Sequence, residues 1–200
     1  MKKVHFLSGI ILSIFVTFHL LNHLTALQSI HTHIAVMNAL RQVYQHPLIE
    51  PLLLLSVLVQ IISGVQLVRQ RGWKQTLYYN KLHVYSGIYL AFFLFVHTSA
   101  TLAGRFMLQV DTNFYYGAMV VNLKPYLFFY IPYYFLGAFS FFVHVACILR
   151  IKMIRNVGLD KANRRASWVL FLGALIGLSI LWAFTYKVEL PPLYQKLMPY

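Results

Sequence analysis

Acidic residues and cysteines are almost absent from this chain. Its 200 residues include one cysteine, Cys147, and four Asp or Glu against 17 Lys or Arg. A single cysteine cannot build a disulfide framework, an iron–sulfur cluster or a cysteine-ligated zinc site. Charged residues make up only 10% of the chain, whereas 60% is hydrophobic and the mean hydropathy is +0.66. This composition predicts an integral membrane protein that forms one transmembrane domain over residues 1–200.

Five long apolar runs account for most of the chain. Each is long enough, at about 20 residues, to cross the hydrocarbon core of a bilayer as a helix. The first run has no small-residue cleavage site, so we expect a retained helix rather than a signal peptide. We predict an all-α bundle of five transmembrane helices, at residues 6–27, 51–69, 82–103, 126–150 and 167–187.

Basic residues are unevenly divided among the segments between these runs. The N-terminus and the connections 69–81 and 150–166 are rich in Lys and Arg, whereas the loops 28–50 and 104–125 contain few. The positive-inside rule therefore places the N-terminus inside and the C-terminus outside. The net charge of +13 reflects this orientation, because no segment offers the exposed basic face that nucleic acid binding requires. We expect the histidines of the first loop to be solvated, namely His31, His33 and His46.

Two segments of the chain are almost copies of each other. They are residues 4–20, VHFLSGIILSIFVTFHL, and residues 82–98, LHVYSGIYLAFFLFVHT. A repeat of this kind in an apolar protein predicts two related halves around a shared site. It sets His19 and His97 at one depth on two parallel helices, about 20 Å from the inner end. At an offset of 78 positions the identical pairs are His5/His83, Ser8/Ser86, Gly9/Gly87, Ile10/Ile88, Leu12/Leu90, Phe15/Phe93 and His19/His97.

The face of the first helix that contains His19 is too polar to face lipid. Polar residues recur on it at helical spacing, so it faces the bundle interior. Buried imidazoles serve proton relays, metal sites or haem. Haem b fits best, because it needs two axial nitrogens across an apolar slot, whereas a redox-inactive metal needs further ligands nearby. Two alternatives stay open: histidines that are only hydrogen-bonded between helices, and His23 as the ligand in place of His19.

Four sequence motifs occur in order along residues 4–155. They are VHFLSGIILSIFVTFHLLNH, HPLIEPLLLL, HVYSGIYLAFFLFVH, and His144 followed six residues later by Arg150. This arrangement resembles the cytochrome b membrane anchor subunit of succinate dehydrogenase and fumarate reductase, of the single-chain, five-helix type. The resemblance implies two stacked b haems. His19 and His97 would ligate the iron of one haem. His144 and a histidine of the second helix would ligate the iron of the other haem.

The second helix departs from that family pattern because it contains no histidine. The position expected for its ligand, four residues before Gly64, is Gln60. The second site is therefore haem-free, five-coordinate on His144, or completed by another residue. The resemblance also implies a quinone bound near Ser86. His83 lies at the same boundary, where it would line the quinone pocket or meet a haem propionate.

The resemblance further implies partners and a location. Soluble flavoprotein and iron–sulfur subunits would dock on the inner face and carry out the succinate–fumarate step of the tricarboxylic acid cycle. This chain would be their quinone-reactive subunit, surrounded by membrane lipids. The expected location is the bacterial inner (plasma) membrane in preference to the mitochondrial inner membrane. Two rival hypotheses stay open. One is a stand-alone haem-binding membrane protein in haem handling, sensing or transmembrane electron transfer, and the other is a haem-free structural or lipid-handling protein.

Overall fold

The computed structural model describes residues 1–72 and 75–198 of the chain. Trp73 and Lys74, in the basic connection 69–81, lie outside the described residues. Within the described ranges the chain forms no β-strand and eight α-helices: α1 (Lys2–Thr25), α2 (Ile30–Tyr44), α3 (Ile49–Arg71), α4 (Tyr78–Phe106), α5 (Phe114–Asn122), α6 (Leu127–Val157), α7 (Leu159–Thr185) and α8 (Pro192–Lys196).

Five of these helices are long and apolar enough to cross a membrane, namely α1, α3, α4, α6 and α7. The prediction of five helices long and apolar enough to span a membrane is confirmed. Large apolar side chains such as Phe18, Leu58 and Phe171 are more than half exposed on the outside of the bundle. Apolar surface of this extent indicates contact with lipid. The chain therefore has the architecture of an integral membrane protein.

Helices α6 and α7 are longer than the sequence predicted. α6 continues to Val157 and α7 begins at Leu159, so most of the connection 150–166 is helical. Gly158 alone separates the two helices, with a φ of 79° that glycine adopts at little cost. Arg150 is held within this hairpin, where its Nε donates to Oδ1 of Asn163 at 2.6 Å. Sequence reasoning missed the helical ends because charged residues interrupt the hydrophobic period.

The spanning helices are arranged as two pairs. α1 packs against α3, α4 packs against α6, and α3 joins the pairs by contacting α4. α7 lies along α6, where Gly173 lets the ring of Phe142 approach closely. Within the described part of the chain, the two repeat helices α1 and α4 do not pack closely against each other. A cavity lies between the two pairs.

Three short helices, α2, α5 and α8, form a cap at the end of the bundle opposite the N-terminus. The prediction of loops at 28–50 and 104–125 was wrong for most of both segments. Side-chain caps start α2 and α5. Ser29 Oγ accepts a hydrogen bond from the backbone N–H of Thr32, and Asn113 Oδ1 accepts one from the backbone N–H of Tyr115, each at 2.9 Å. These capping residues were the sequence signal for the two helices.

The cap has its own apolar core. Buried residues of α5 pack against the ends of α1 and α7 and against α8. This core includes Phe114, Ala118 and Val121 of α5, Phe184 of α7 and Tyr194 of α8. Two ion pairs also stabilise this end of the bundle. Arg41 of α2 binds Asp111 at 2.7 Å, and Arg105 of α4 binds Glu50 of α3. The cap therefore closes one end of the cavity with a packed layer.

Candidate functional site

The cavity between the helix pairs has a volume of about 1010 Å³ and mostly apolar walls. Binding sites for small molecules typically have about 300–1,000 Å³, so this cavity accommodates a large ligand. Ser86 lies behind the cavity wall, where its Oγ is 3.3 Å from Nδ1 of His144. The other site residues predicted from the sequence line the cavity: His19, Gln60, His83, His97 and His144.

His19 of α1 and His97 of α4 face each other across the middle of the cavity. Their ring centroids are 6.0 Å apart. Each imidazole stacks on a phenylalanine one turn earlier in its own helix: His19 on Phe15 at 5.5 Å, and His97 on Phe93 at 5.1 Å. These four residues are equivalent in the sequence repeat. The repeat therefore builds two matching ring stacks on opposite walls.

The spacing of the two imidazoles fits two axial ligands on one metal. A metal–imidazole bond is about 2 Å long and the ring centre lies about 1 Å behind the nitrogen, so trans imidazoles have centres about 6 Å apart. The observed 6.0 Å agrees with this value. The apolar walls suit the flat ring of a haem, so the residues present fit that group. Nε2 of His19 contacts Nε2 of His23 at 3.1 Å, and iron on His19 would replace this contact.

A row of polar side chains continues from His19 into the cap. Nδ1 of His23 is 3.1 Å from Nε2 of His33, and the amide nitrogen of Asn22 is 3.3 Å from the same atom. His33 is only 1% exposed, so the prediction that it is solvated was wrong, whereas His31 and His46 are exposed. His33 and Met37 lie four residues apart on the buried face of α2. Assignment of this segment as a helix would have placed them on one face and predicted the burial of His33.

We expect the stability of the protein to depend on pH through His33. Burial, together with the positive charge of Arg41, lowers the pKa of His33 from 6.5 to about 4. Between these pH values the unfolded chain binds a proton that the folded chain does not. The free energy of unfolding therefore falls as the pH falls from 6.5 to 4, by at most about 3 kcal/mol.

Thermal unfolding in detergent at pH 7 and pH 5 measures this effect. The wild-type melting temperature should drop by several degrees at the lower pH, and the drop should be smaller in His33→Gln. His31→Gln is the matched control, because His31 lies exposed on the same helix, and it should keep the wild-type dependence. Equal pH dependence in His33→Gln and wild type would refute the role of His33.

A second group of polar residues lies at the N-terminal end of the cavity. On the α4/α6 wall, the rings of His83 and His144 are 4.3 Å apart, and Ser86 contacts His144. On the α1/α3 wall, Gln60 contacts Nε2 of His5 at 3.2 Å. The structure therefore brings together His83, Ser86 and His144, and it places Gln60 with a different histidine.

Sequence reasoning missed the charged residues at the cap end of the cavity. Arg41, Arg105 and Glu50 line the cavity there, with Arg105 paired to Glu50 and Arg41 to Asp111. Two guanidinium groups at one end of an apolar cavity can bind carboxylates of a ligand. Both arginines lie in segments that sequence reasoning treated as loops, so nothing placed them beside the helical histidines.

The chain has no recognisable counterpart in three comparisons: no family model, no curated protein and no solved structure matches it. Among residues 1–72 and 75–198, no group of three or more His, Cys, Asp or Glu side chains is placed to hold a metal ion. This finding is compatible with haem, whose iron takes four ligands from the porphyrin and needs only two from the protein.

Proposed function

We propose that this protein is the haem b-containing membrane subunit of a quinone oxidoreductase of the succinate:quinone or quinol:fumarate reductase type. The observation that carries the proposal is the opposition of His19 and His97, with ring centroids 6.0 Å apart in an apolar cavity. Haem supplies one-electron transfer when it is bound there. His19 and His97 ligate its iron, while Phe15 and Phe93 hold the two rings in place by stacking.

The two ends of the cavity support the same proposal. Haem propionates require cations, and Arg41 and Arg105 line the cap end, where a propionate would share or replace the carboxylate that each arginine binds. The N-terminal end carries neutral polar groups, among them His83 and Ser86. We assign His83, which lines the cavity, to the quinone, which takes up or releases protons when it exchanges electrons, and Ser86 to the wall behind it, beside His144. A histidine near neutral pH is suited to that proton transfer.

Flavoprotein and iron–sulfur partners belong to the proposal as the proteins that oxidise or reduce the dicarboxylate. They would dock at the end of the bundle that holds the N-terminus and the α6–α7 hairpin. The basic residues of this end support an orientation with the N-terminus inside. The bacterial inner membrane is the proposed location.

Electron exchange with a quinone tests the functional part of the proposal. The haem of the purified protein in lipid nanodiscs is reduced with dithionite and then mixed with a soluble quinone analogue. We expect rapid reoxidation of the haem. His83→Leu should slow this reaction about 100-fold, as expected for loss of a positioned proton-transfer group, without changing reoxidation by ferricyanide.

The ferricyanide reaction controls for general damage to the haem, since ferricyanide takes electrons without protons. His46→Leu, at an exposed position in the cap, is the matched control variant. If ferricyanide oxidises the haem and the quinone analogue does not, the quinone-reactive function is ruled out, while the proposed haem site stands.

The second candidate function is a stand-alone haem protein in transmembrane electron transfer, haem handling or sensing. Gln60 favours it, because α3 lacks the histidine that the resemblance implies. Purification of the tagged protein from its native membrane separates the two candidates. A flavoprotein and an iron–sulfur protein that copurify in equal amounts support the oxidoreductase subunit, and a lone haem protein supports the second candidate.

A further inference from the structure

α1 carries a second histidine, His23, one turn beyond His19 and on the same face of the helix. Both imidazoles line the cavity. Their Nε2 atoms are 3.1 Å apart, and their ring centroids are 4.4 Å apart at an interplanar angle of 75°. Two nitrogens that bind one metal ion at about 2 Å lie about 3 Å from each other. A metal ion on Nε2 of His19 would therefore be close to Nε2 of His23 as well.

His33 of α2 holds His23 by an in-line hydrogen bond. Nδ1 of His23 is 3.1 Å from Nε2 of His33, and the ring planes differ by only 14°. A ring centre lies about 1 Å behind its nitrogen, so an in-line pair at this distance has centres about 5 Å apart. The observed separation is 5.3 Å. The centres of His19 and His23 are closer, at 4.4 Å for the same nitrogen–nitrogen distance, so those two rings are inclined instead.

Asn22 fixes the direction of the hydrogen bond between His23 and His33. Its amide nitrogen, which can only donate, lies 3.3 Å from Nε2 of His33. Nε2 of His33 is therefore an acceptor, and the shared proton belongs to Nδ1 of His23. The lone pair of His23 is then on Nε2, the atom beside His19. Asn22 and His33 are only 4% and 1% exposed, so water does not compete for these hydrogen bonds.

His23 has the surroundings of a metal ligand. A histidine that binds a metal through one ring nitrogen usually donates the N–H of the other nitrogen to an acceptor, which fixes its tautomer and orientation. His33 is that acceptor for His23. Within residues 1–72 and 75–198, Nδ1 of His19 makes no hydrogen bond, and the ring of His19 is held by stacking on Phe15. By this criterion His23 is better prepared to bind iron than His19.

The two imidazoles of α1 are alternatives at one iron. The porphyrin supplies four ligands and His97 the fifth, so a single position is left for His19 or His23. The absence of a three-ligand metal group among the described residues agrees with ligands that bind one at a time.

We propose that His23 is a second axial ligand of the haem, which replaces His19 on the iron, and that His33 is the positioning residue that holds it. In the exchange one iron–nitrogen bond breaks and another forms. His23 loses no proton, because its Nε2 already carries the lone pair. Since His33 belongs to α2, the exchange connects the iron to the cap. The proposal rests on the proposed haem-binding function, and it concerns which imidazole completes the same site.

Low-spin haem in the purified variant His19→Ala tests the proposal, by electron paramagnetic resonance with haem quantified per chain. We expect His19→Ala to keep the low-spin haem content of the wild type, with shifted g values, because His23 takes the free position. The double variant His19→Ala/His23→Leu should hold one low-spin haem fewer. His97→Ala is the matched control, since the exchange between His19 and His23 cannot replace the ligand of the opposite wall.

The role of His33 is tested in the His19→Ala background. His33→Leu removes the acceptor of Nδ1 and should convert part of the haem to a high-spin form. His33→Gln should keep the low-spin form, because its amide oxygen can accept the same hydrogen bond. Equal spectra of these two variants would overturn the positioning role of His33.

Carbon monoxide binding to the reduced haem gives an answer that does not require His19→Ala to fold. In the wild type, His23 captures the iron whenever His19 leaves it. His23→Leu should therefore bind carbon monoxide about tenfold faster than the wild type, at unchanged haem content, because more of the haem has an open position.

Three results would overturn the alternative ligand. They are loss of the low-spin haem from folded His19→Ala, equal low-spin haem in His19→Ala and His19→Ala/His23→Leu, and equal carbon monoxide binding rates in His23→Leu and wild type. Each of them leaves the proposed function standing if the wild type contains low-spin haem. A wild type without haem overturns both.

Discussion

Replacement of His97 by alanine is expected to remove one haem per chain and its low-spin spectrum. The ring of His97 faces His19 at 6.0 Å and stacks on Phe93, and no other imidazole of α4 lies at this depth. A haem held by His19 and His97 would then be bound by the protein on the His19 side only. Absorption spectra with quantified haem, recorded on the purified variant and wild type, measure the effect.

Two controls separate the loss of a ligand from the loss of the fold. His46→Ala removes an exposed histidine of the cap and should keep the wild-type haem content. Free imidazole should restore the low-spin spectrum of His97→Ala, because it can enter the space that the side chain leaves. A His97→Ala protein with unchanged haem content and spin state would show that His97 is not a ligand.

Replacement of Gly137 by alanine is the second change with a large expected effect. A Cβ at this position would collide with the ring of Phe93, the residue that stacks on His97 at 5.1 Å. The ring must move, and His97 with it. We expect a loss of about 1–3 kcal/mol in stability from overpacking, and a weakened or altered haem spectrum. Thermal unfolding and absorption spectra of one preparation report both effects.

Gly173→Ala is the matched control for that experiment. Its Cβ would collide with Phe142 between α6 and α7, and Phe142 does not stack on His19 or His97. It should destabilise the protein to a similar extent and leave the haem spectrum unchanged. Equal spectral changes in both variants would mean that the spectrum follows general stability, and that Phe93 does not position His97.

The spanning helices and the first histidine pair could be predicted from the sequence for physical reasons. A bilayer requires about 20 apolar residues per span, so the apolar runs identify the helices by length alone. The repeat then sets His19 and His97 at one height, because equal offsets in parallel helices mean equal depth. The structure places both on one cavity, 6.0 Å apart.

The cap could not be predicted in the same way. α2 and α5 are short, and their apolar residues serve a local core instead of a membrane span. Burial of His33 depends on contacts with Asn22 and His23, which lie on another helix. The contact between His5 and Ser63 likewise joins residues 58 positions apart. Helix pairing creates these contacts, and no local pattern in the sequence encodes them.

The role of Gln60 shows the limit of comparison by position. Position 60 lacks a histidine, which made the second site doubtful in the sequence. In the structure, the amide of Gln60 contacts His5, which lies in the first turns of α1, at 3.2 Å. An imidazole from another helix therefore lies beside position 60. The spatial arrangement, more than the aligned position, decides which residues are available to a ligand.

Whether His19 and His97 hold a haem, as we propose, can be decided by one absorption measurement. It is a reduced-minus-oxidised absorption spectrum of the wild-type protein, purified from haem-replete membranes, with haem quantified per chain. We expect the bands of a low-spin b-type haem and at least one haem per chain. A folded, monodisperse protein without any haem absorption would contradict it.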